Sequence, residues 1–305
     1  MIRRTLAAGI AVATMIVLAG CTNAADRRPQ ADRLRAEIGT MPGVESVTVD
    51  YADDLSQGTH LNLTISMRKA SEAQIADVVD CINAIKRHDF DNFQQSADFT
   101  VGDQLELKLD AALDPARIGT RTRMLRELGA SLPRAAVTWS SSAIEIEKSP
   151  PTTDSLAAVR TVLGDDGTQV TIRPANRAPV WTVDFPFSPQ QEHDIQALLT
   201  DLPAPVAFVH VTDGYIANLS VGVHSPDTAY QDLTAVIAST RTSEHPMDLR
   251  WNWGSYTPDK LFTGSVKIAG CTERDSAADT HPENYLTPDA IALQRRLRSE
   301  FETCN

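Results

Sequence analysis

The chain lacks the short motifs that mark the best-known catalytic and cofactor sites. It contains no G-x-S-x-G, H-E-x-x-H, G-x-x-x-x-G-K-[ST] or G-x-G-x-x-G segment. Only 15 of its 305 residues are glycine, so few segments let a ligand approach the backbone closely. The sequence therefore predicts no catalytic residue, no metal site and no cofactor.

Basic residues are also scarce. Lys and Arg number 28 against 40 Asp and Glu, which gives a formal net charge of −12. Nucleic-acid binding needs a local excess of Lys and Arg at the phosphates, so we expect no nucleic-acid partner. The content of hydrophobic residues (42%) and charged residues (22%) is ordinary for a globular protein.

The apolar run at the N-terminus is too short for a membrane span, which needs about twenty residues. Arg3 and Arg4 precede this run, which covers residues 6–18 and ends in Leu18-Ala19-Gly20-Cys21. A charged head followed by a short apolar run is typical of an export signal. The final tetrapeptide resembles the lipobox of bacterial lipoprotein precursors. That resemblance implies cleavage before Cys21, a diacylglyceryl group on its thiol, and anchoring at the extracytoplasmic face of the cell membrane.

Residues 1–20 are accordingly interpreted as a lipoprotein signal peptide and residues 21–30 as a lipidated, polar tether. The alternative is a plain secretory signal in which Cys21 is incidental. The resemblance covers the targeting segment alone and implies nothing about the rest of the chain.

Cysteine is rare, with four in the chain. Cys271 follows a strand-like segment, and Cys304 continues the apolar stripe of a final helix, so its thiol is expected to face the protein. Export favours a Cys271–Cys304 disulfide, which would fix that helix. Cys81 is then left over and is interpreted as a buried free thiol.

One helical segment followed by two strand-like segments recurs six times after residue 31, and a last helix closes the chain. The strands alternate apolar and polar residues, which is typical of sheets buried on one face. Helix starts are marked by a capping residue before proline, at Asp114, Ser188, Ser225 and Thr287.

Because one α-β-β unit cannot cover its own sheet, we expect units to pair. The predicted fold is α+β, with αββαββ modules forming ferredoxin-like two-layer sandwiches whose antiparallel sheets are covered on one face. Module 1 spans residues 31–113, module 2 spans 114–187, and module 3 with the last helix spans 188–305. The pattern loosely resembles the BON-type modules of bacterial envelope proteins.

Two groups of side chains suggest a binding site, each with a plainer alternative. Trp251 and Trp253 are predicted to lie on the same face of one strand, and Tyr256 follows just beyond it. If that face were exposed, the aromatic rings could stack on sugar rings, but packing in the core is the favoured interpretation. His210 and His224 lie on adjacent strands, and zinc would need a third ligand, for which Asp213 in the turn between them is a candidate. Two separate strand histidines are the favoured interpretation.

The leading hypothesis for function is a non-catalytic, lipid-anchored envelope protein that binds or scaffolds a cell-wall component or an envelope protein. One alternative is a cell-wall hydrolase whose carboxylates converge between modules. The other is a carrier of an apolar ligand, which would need a closed cavity of several hundred Å³.

Overall fold

A computed structural model describes residues 27–54, 58–110, 114–176, 178–240, 245–253, 260–272 and 280–304. In these ranges the chain forms seven α-helices: α1 Arg28–Gly39, α2 Glu72–Asp89, α3 Pro115–Ser131, α4 Thr152–Leu163, α5 Pro189–Thr200, α6 Ala229–Ser239 and α7 Pro288–Phe301. It forms twelve strands: β1 Ser46–Asp54, β2 Gly58–Ser66, β3 Gln94–Gly102, β4 Leu105–Asp110, β5 Ala136–Trp139, β6 Ala143–Ser149, β7 Gln169–Pro174, β8 Val180–Asp184, β9 Val206–Thr212, β10 Tyr215–Gly222, β11 Met247–Asn252 and β12 Thr263–Ile268.

Six α-β-β units follow one another and α7 closes the chain, so the predicted α+β class is confirmed. All twelve strands form one sheet in sequence order. The two strands within each unit are antiparallel, whereas neighbouring units join through parallel pairs. The sheet is therefore mixed and continuous, not a set of antiparallel sheets, because each helix carries the chain back to the end where the preceding strand began.

The module boundaries stay a prediction, but the sheet is hydrogen-bonded across both of them. Leu105 of β4 pairs with Val137 of β5 across the boundary at 113/114. Trp181 of β8 pairs with Val209 of β9 across the boundary at 187/188.

The helix starts follow the predicted capping chemistry with one exception. The Asp114 side chain accepts the backbone N–H groups of Ala116 and Arg117, and Ser188 forms a capping box with Gln191. The predicted start at Ser225 is wrong: α6 begins at Ala229, because the Ser225 hydroxyl accepts the Thr228 N–H in a turn before the helix.

The first helix begins earlier than the predicted tether allows. Helix α1 starts at Arg28 and includes Pro29 in its first turn. Proline at this position is preorganised for the helix and removes an N–H that would have no helical partner. Residues 28–30 therefore belong to the folded body and not to the tether.

The helices pack on one face of the sheet and form a single core with it. Alternate strand residues such as Leu63, Phe99 and Leu107 are fully buried, as are Val79 of α2 and Leu125 of α3. The period-two alternation of the strands thus separates a face under the helices from a face without them.

Helix α7 covers the outer edge of the last strand. Gln294 Oε1 accepts the Ser265 N–H at 2.9 Å, and Arg298 Nε donates to the Ser265 carbonyl at 3.1 Å. One turn further on, Glu302 Oε1 accepts the Lys267 N–H at 3.3 Å. Side chains spaced by four residues therefore occupy the backbone groups that an additional strand would use.

Candidate functional site

The sheet face opposite the helices carries a row of polar side chains that crosses all twelve strands. Directly paired residues lie on the same face of a sheet. The strand register lines up one such residue per strand: Thr48, Thr64, Asp98, Lys108, Thr138, Glu145, Thr171, Thr182, His210, Asn218, Asp248 and Lys267. This surface, named the open face, is the largest candidate for contact with a partner.

Carboxylates concentrate on the open face between β3 and β6. This acidic patch consists of Asp98, Glu106, Asp110, Glu145 and Glu147. Burial, and the nearby charges of Glu106 and Asp110, raise the pKa of Asp98 although Lys108 opposes the shift. Lys108 lies within the patch and pairs with Glu106 at 3.6 Å, so one cation opposes five carboxylates. The remaining negative charge would attract a cationic partner.

A hydrogen-bonded network follows on strands β7 to β10. His210 Nε2 lies 3.3 Å from Asp184 Oδ2, and the Thr212 hydroxyl donates to the same oxygen at 2.7 Å. Gln169 Nε2 donates to Asp184 Oδ1 at 2.9 Å, and Asn218 Nδ2 lies 3.3 Å from His210 Nδ1. These five side chains form the His210 network.

The network stabilises the ionised form of Asp184. Both ring nitrogens of His210 have a partner in the network, Asn218 Nδ2 at Nδ1 and Asp184 Oδ2 at Nε2. Burial disfavours the Asp184 carboxylate, but hydrogen bonds from Thr212 and Gln169 and the His210 ring outweigh it and lower the pKa of Asp184. An ionised Asp184 suits hydrogen bonding and not proton donation.

The structure places the two predicted strand histidines in different surroundings. His210 lies in its network, whereas His224 Nδ1 lies 3.1 Å from Asp232 Oδ2 after the end of β10. The turn residue Asp213 joins neither pair among the contacts of the described chain. The part of the chain described here holds one group of three candidate metal donors, Cys271, Glu302 and Cys304, and its cysteines are bonded to each other.

His224 also borders an open cleft of about 580 Å³ beside α4 and α5. Its walls combine apolar side chains, including Leu199 and Leu202, with the polar groups of Thr153 and Gln196. The Gln196 amide donates to the Thr153 hydroxyl at 3.2 Å, so these two polar side chains are already partnered.

The predicted aromatic face is divided between core and surface. Trp251 is 1% exposed and packs in the core, so its ring does not stack on a ligand. Trp253 is 44% exposed and its indole N–H donates to the His224 carbonyl at 3.1 Å. Tyr256 lies outside the described residues. The predicted pair on one face fails because β11 ends at Asn252, one residue before Trp253.

Two cysteines form the predicted disulfide, and a third is a free thiol. Cys271 and Cys304 are joined in a disulfide with their Cα atoms 4.9 Å apart. Helix α7 ends at Phe301, so Cys304 is exposed and does not extend the helical stripe. Cys81 is a free thiol as predicted, but it is half-buried and not fully buried. Its partial burial raises its pKa.

The predicted lipidation site, Cys21, lies outside the described residues. Among the helices described, none is both long and apolar enough to cross a membrane. No protein-family model, no curated protein and no solved structure matches the chain.

Sequence reasoning missed the His210 network because its members lie on four strands. The parallel pairing of β8 with β9 sets Thr182 opposite His210 and brings Asp184 alongside. The signal that could have found them is the run of polar residues at alternate positions in each strand.

Proposed function

We propose that the protein is a lipid-anchored, extracytoplasmic scaffold that binds a basic envelope protein through its open face. The anchor is the diacylglyceryl group expected on Cys21, for which the lipobox resemblance is the support. The observation that carries the binding role is the acidic patch, where five carboxylates share a sheet face that the helices leave uncovered.

A folded protein fits this surface better than a small ligand does. Sites for small molecules are concave, whereas the open face is the exposed side of a single sheet. Twelve strands spaced about 4.8 Å apart extend over about 53 Å, and strands of roughly 20 Å give about 1,000 Å² of surface. A specific protein interface buries about 800 Å² per partner.

Charge determines which protein partners are favoured. Burial is the main cause of the raised pKa of Asp98, and repulsion from Glu106 and Asp110 adds to it while Lys108 opposes it. Lys or Arg side chains from a partner would remove that repulsion and add attraction. Binding is therefore expected to weaken as ionic strength rises.

Anchoring is tested by feeding cells an alkyne-bearing fatty acid and detecting label on the purified protein. The wild-type chain and the matched variant Cys81→Ala should carry label, and Cys21→Ala should carry none. Equal labelling of Cys21→Ala and the wild type would refute the anchor.

Binding is tested by cross-linking on intact cells, identification of the captured protein, and titration of the purified pair. The double variant Glu106→Lys/Glu145→Lys should weaken binding at least about tenfold because it reverses charges in the acidic patch. The control Glu127→Lys reverses a half-exposed charge on α3 and should leave affinity unchanged. Equal effects of both variants, or an affinity independent of salt, would refute the proposed interface.

A further inference from the structure

A cavity of about 460 Å³ lies where three connections of the fold meet. It is bounded by the connection from α3 to β5, the connection from β6 to α4, and the turn after β7. Its lining residues are Pro133, Arg134, Lys148, Ser149, Pro150, Pro151, Ala175 and Asn176. Four of the eight lining residues are proline or alanine, and Arg134 and Lys148 are the charged ones.

Arg134 occupies a backbone position that normally belongs to glycine. The Ala135 N–H donates to the Leu132 carbonyl at 3.1 Å and closes a turn with Pro133 and Arg134 at its centre. Arg134 has φ 83°, as the third residue of a type II turn requires. A side chain here strains the backbone, and glycine would not.

Lys148 occupies a second position of this kind. The pairing of β6 with β7 shifts register between Glu147 and Ser149, so Lys148 is the extra residue of a β-bulge. Its φ is 52°, again in the left-handed region. Two of the five non-glycine residues with positive φ in the described chain therefore line this one cavity.

Neither cation is neutralised within the part of the chain that the structure describes. Arg134 and Lys148 are exposed and form no ion pair there, although acidic residues exceed basic ones by 40 to 28 in the sequence. Other arginines, such as Arg126 and Arg160, do pair with carboxylates. The charge of this cavity is thus available to an anion from outside.

We propose that this cavity binds an organic phosphate, with Arg134 and Lys148 meeting the phosphoryl group and the proline wall meeting an apolar body. The Arg guanidinium offers a planar fork of donors and the Lys ammonium a compact charge, which together suit a phosphoryl dianion. Pro133, Pro150 and Pro151 are rigid and apolar, so they offer a preformed surface to a hydrocarbon group. This inference does not depend on the lipid anchor or on the open-face partner.

The test measures binding of phenyl phosphate to the purified protein by calorimetry, with inorganic phosphate for comparison. Phenyl phosphate should bind more tightly, because inorganic phosphate lacks the apolar body. Arg134→Gly and Lys148→Gly should each weaken binding about tenfold or more, as expected for loss of a charged donor. Both should also raise the denaturation midpoint, because glycine relieves the backbone strain.

Gln104→Gly is the matched control, since Gln104 is exposed and has φ 59° but lies outside the cavity lining. It should raise the denaturation midpoint without changing affinity. A second arm replaces phenyl phosphate by dihexanoyl phosphatidic acid. Tighter binding of phenyl phosphate would indicate a soluble phosphate ester, and tighter binding of the phosphatidic acid would indicate a lipid headgroup. Absence of binding in both arms, or equal affinity of wild type and both cavity variants, would overturn the proposal.

Discussion

Arg298 is expected to make a large polar contribution to the stability of the contact between α7 and β12. Its guanidinium donates to the Ser265 carbonyl at 3.1 Å and to the Ser265 hydroxyl at 3.3 Å. It also lies 3.6 Å from Glu302, and the two side chains are 11% and 4% exposed. Arg298→Ala would leave a buried carboxylate without its cation and an edge carbonyl without its donor. Breaking such a pair costs about 3–5 kcal/mol. Glu302 keeps its hydrogen bonds from Lys267 and Thr272, which favours the lower end, about 3 kcal/mol.

Urea denaturation followed by tryptophan fluorescence measures this loss. Arg295→Ala is the control, because Arg295 is exposed on the same helix and should change the free energy of unfolding by less than about 0.5 kcal/mol. Sedimentation gives a second readout, since a freed β12 edge should promote self-association. Arg298→Ala matching Arg295→Ala in both stability and sedimentation would show that the edge contacts contribute nothing.

The disulfide and two carboxylates give three further predictions. Replacing Cys271 and Cys304 by serine frees a connection of 33 residues and should lower the free energy of unfolding by about 3.7 kcal/mol, a loss below about 1 kcal/mol contradicting it. The lowered pKa of Asp184 stabilises the fold above the unfolded pKa of about 3.9, so the advantage of wild type over Asp184→Asn should shrink as the pH falls through the lowered pKa in acid titrations; a constant difference would exclude this linkage. The raised pKa of Asp98 has the opposite sign, so Asp98→Asn should raise the thermal midpoint at neutral pH and lose that benefit in acid, whereas a lower midpoint at neutral pH would contradict the electrostatic account.

The local elements of this fold are readable from the sequence because they depend on neighbours in the chain. Alternation within β4 and the capping chemistry at Asp114 and Ser188 are short-range signals, and each predicts its element. The parallel joins between units are not readable in this way. A hairpin that is buried on one face shows the same alternation of apolar and polar residues whether the next unit joins it by a parallel or an antiparallel pair. The sequence therefore contains no local signal that distinguishes the two joins.

The candidate site also combines residues that the sequence singles out with contacts that only the fold determines. His210 attracts attention in the sequence, but its nearest histidine along the chain, His224, turns out to bond Asp232. Its actual partner Asp184 is set by the register between β8 and β9, two strands that are separated in the sequence by α5. Arg134 and Lys148 were overlooked because a positive φ at a residue other than glycine is a property of the folded backbone.

Alternating parallel and antiparallel joins also constrain how such a protein can lengthen or shorten. Consecutive α-β-β units run in opposite directions along the strand axis while their helices stay on one side. If one unit were deleted, every unit after it would have its strands reversed. Those units would then have to add strands in the opposite direction across the sheet or place their helices on its other face. Deleting or inserting two units together would preserve both, so width changes in steps of four strands, about 19 Å each.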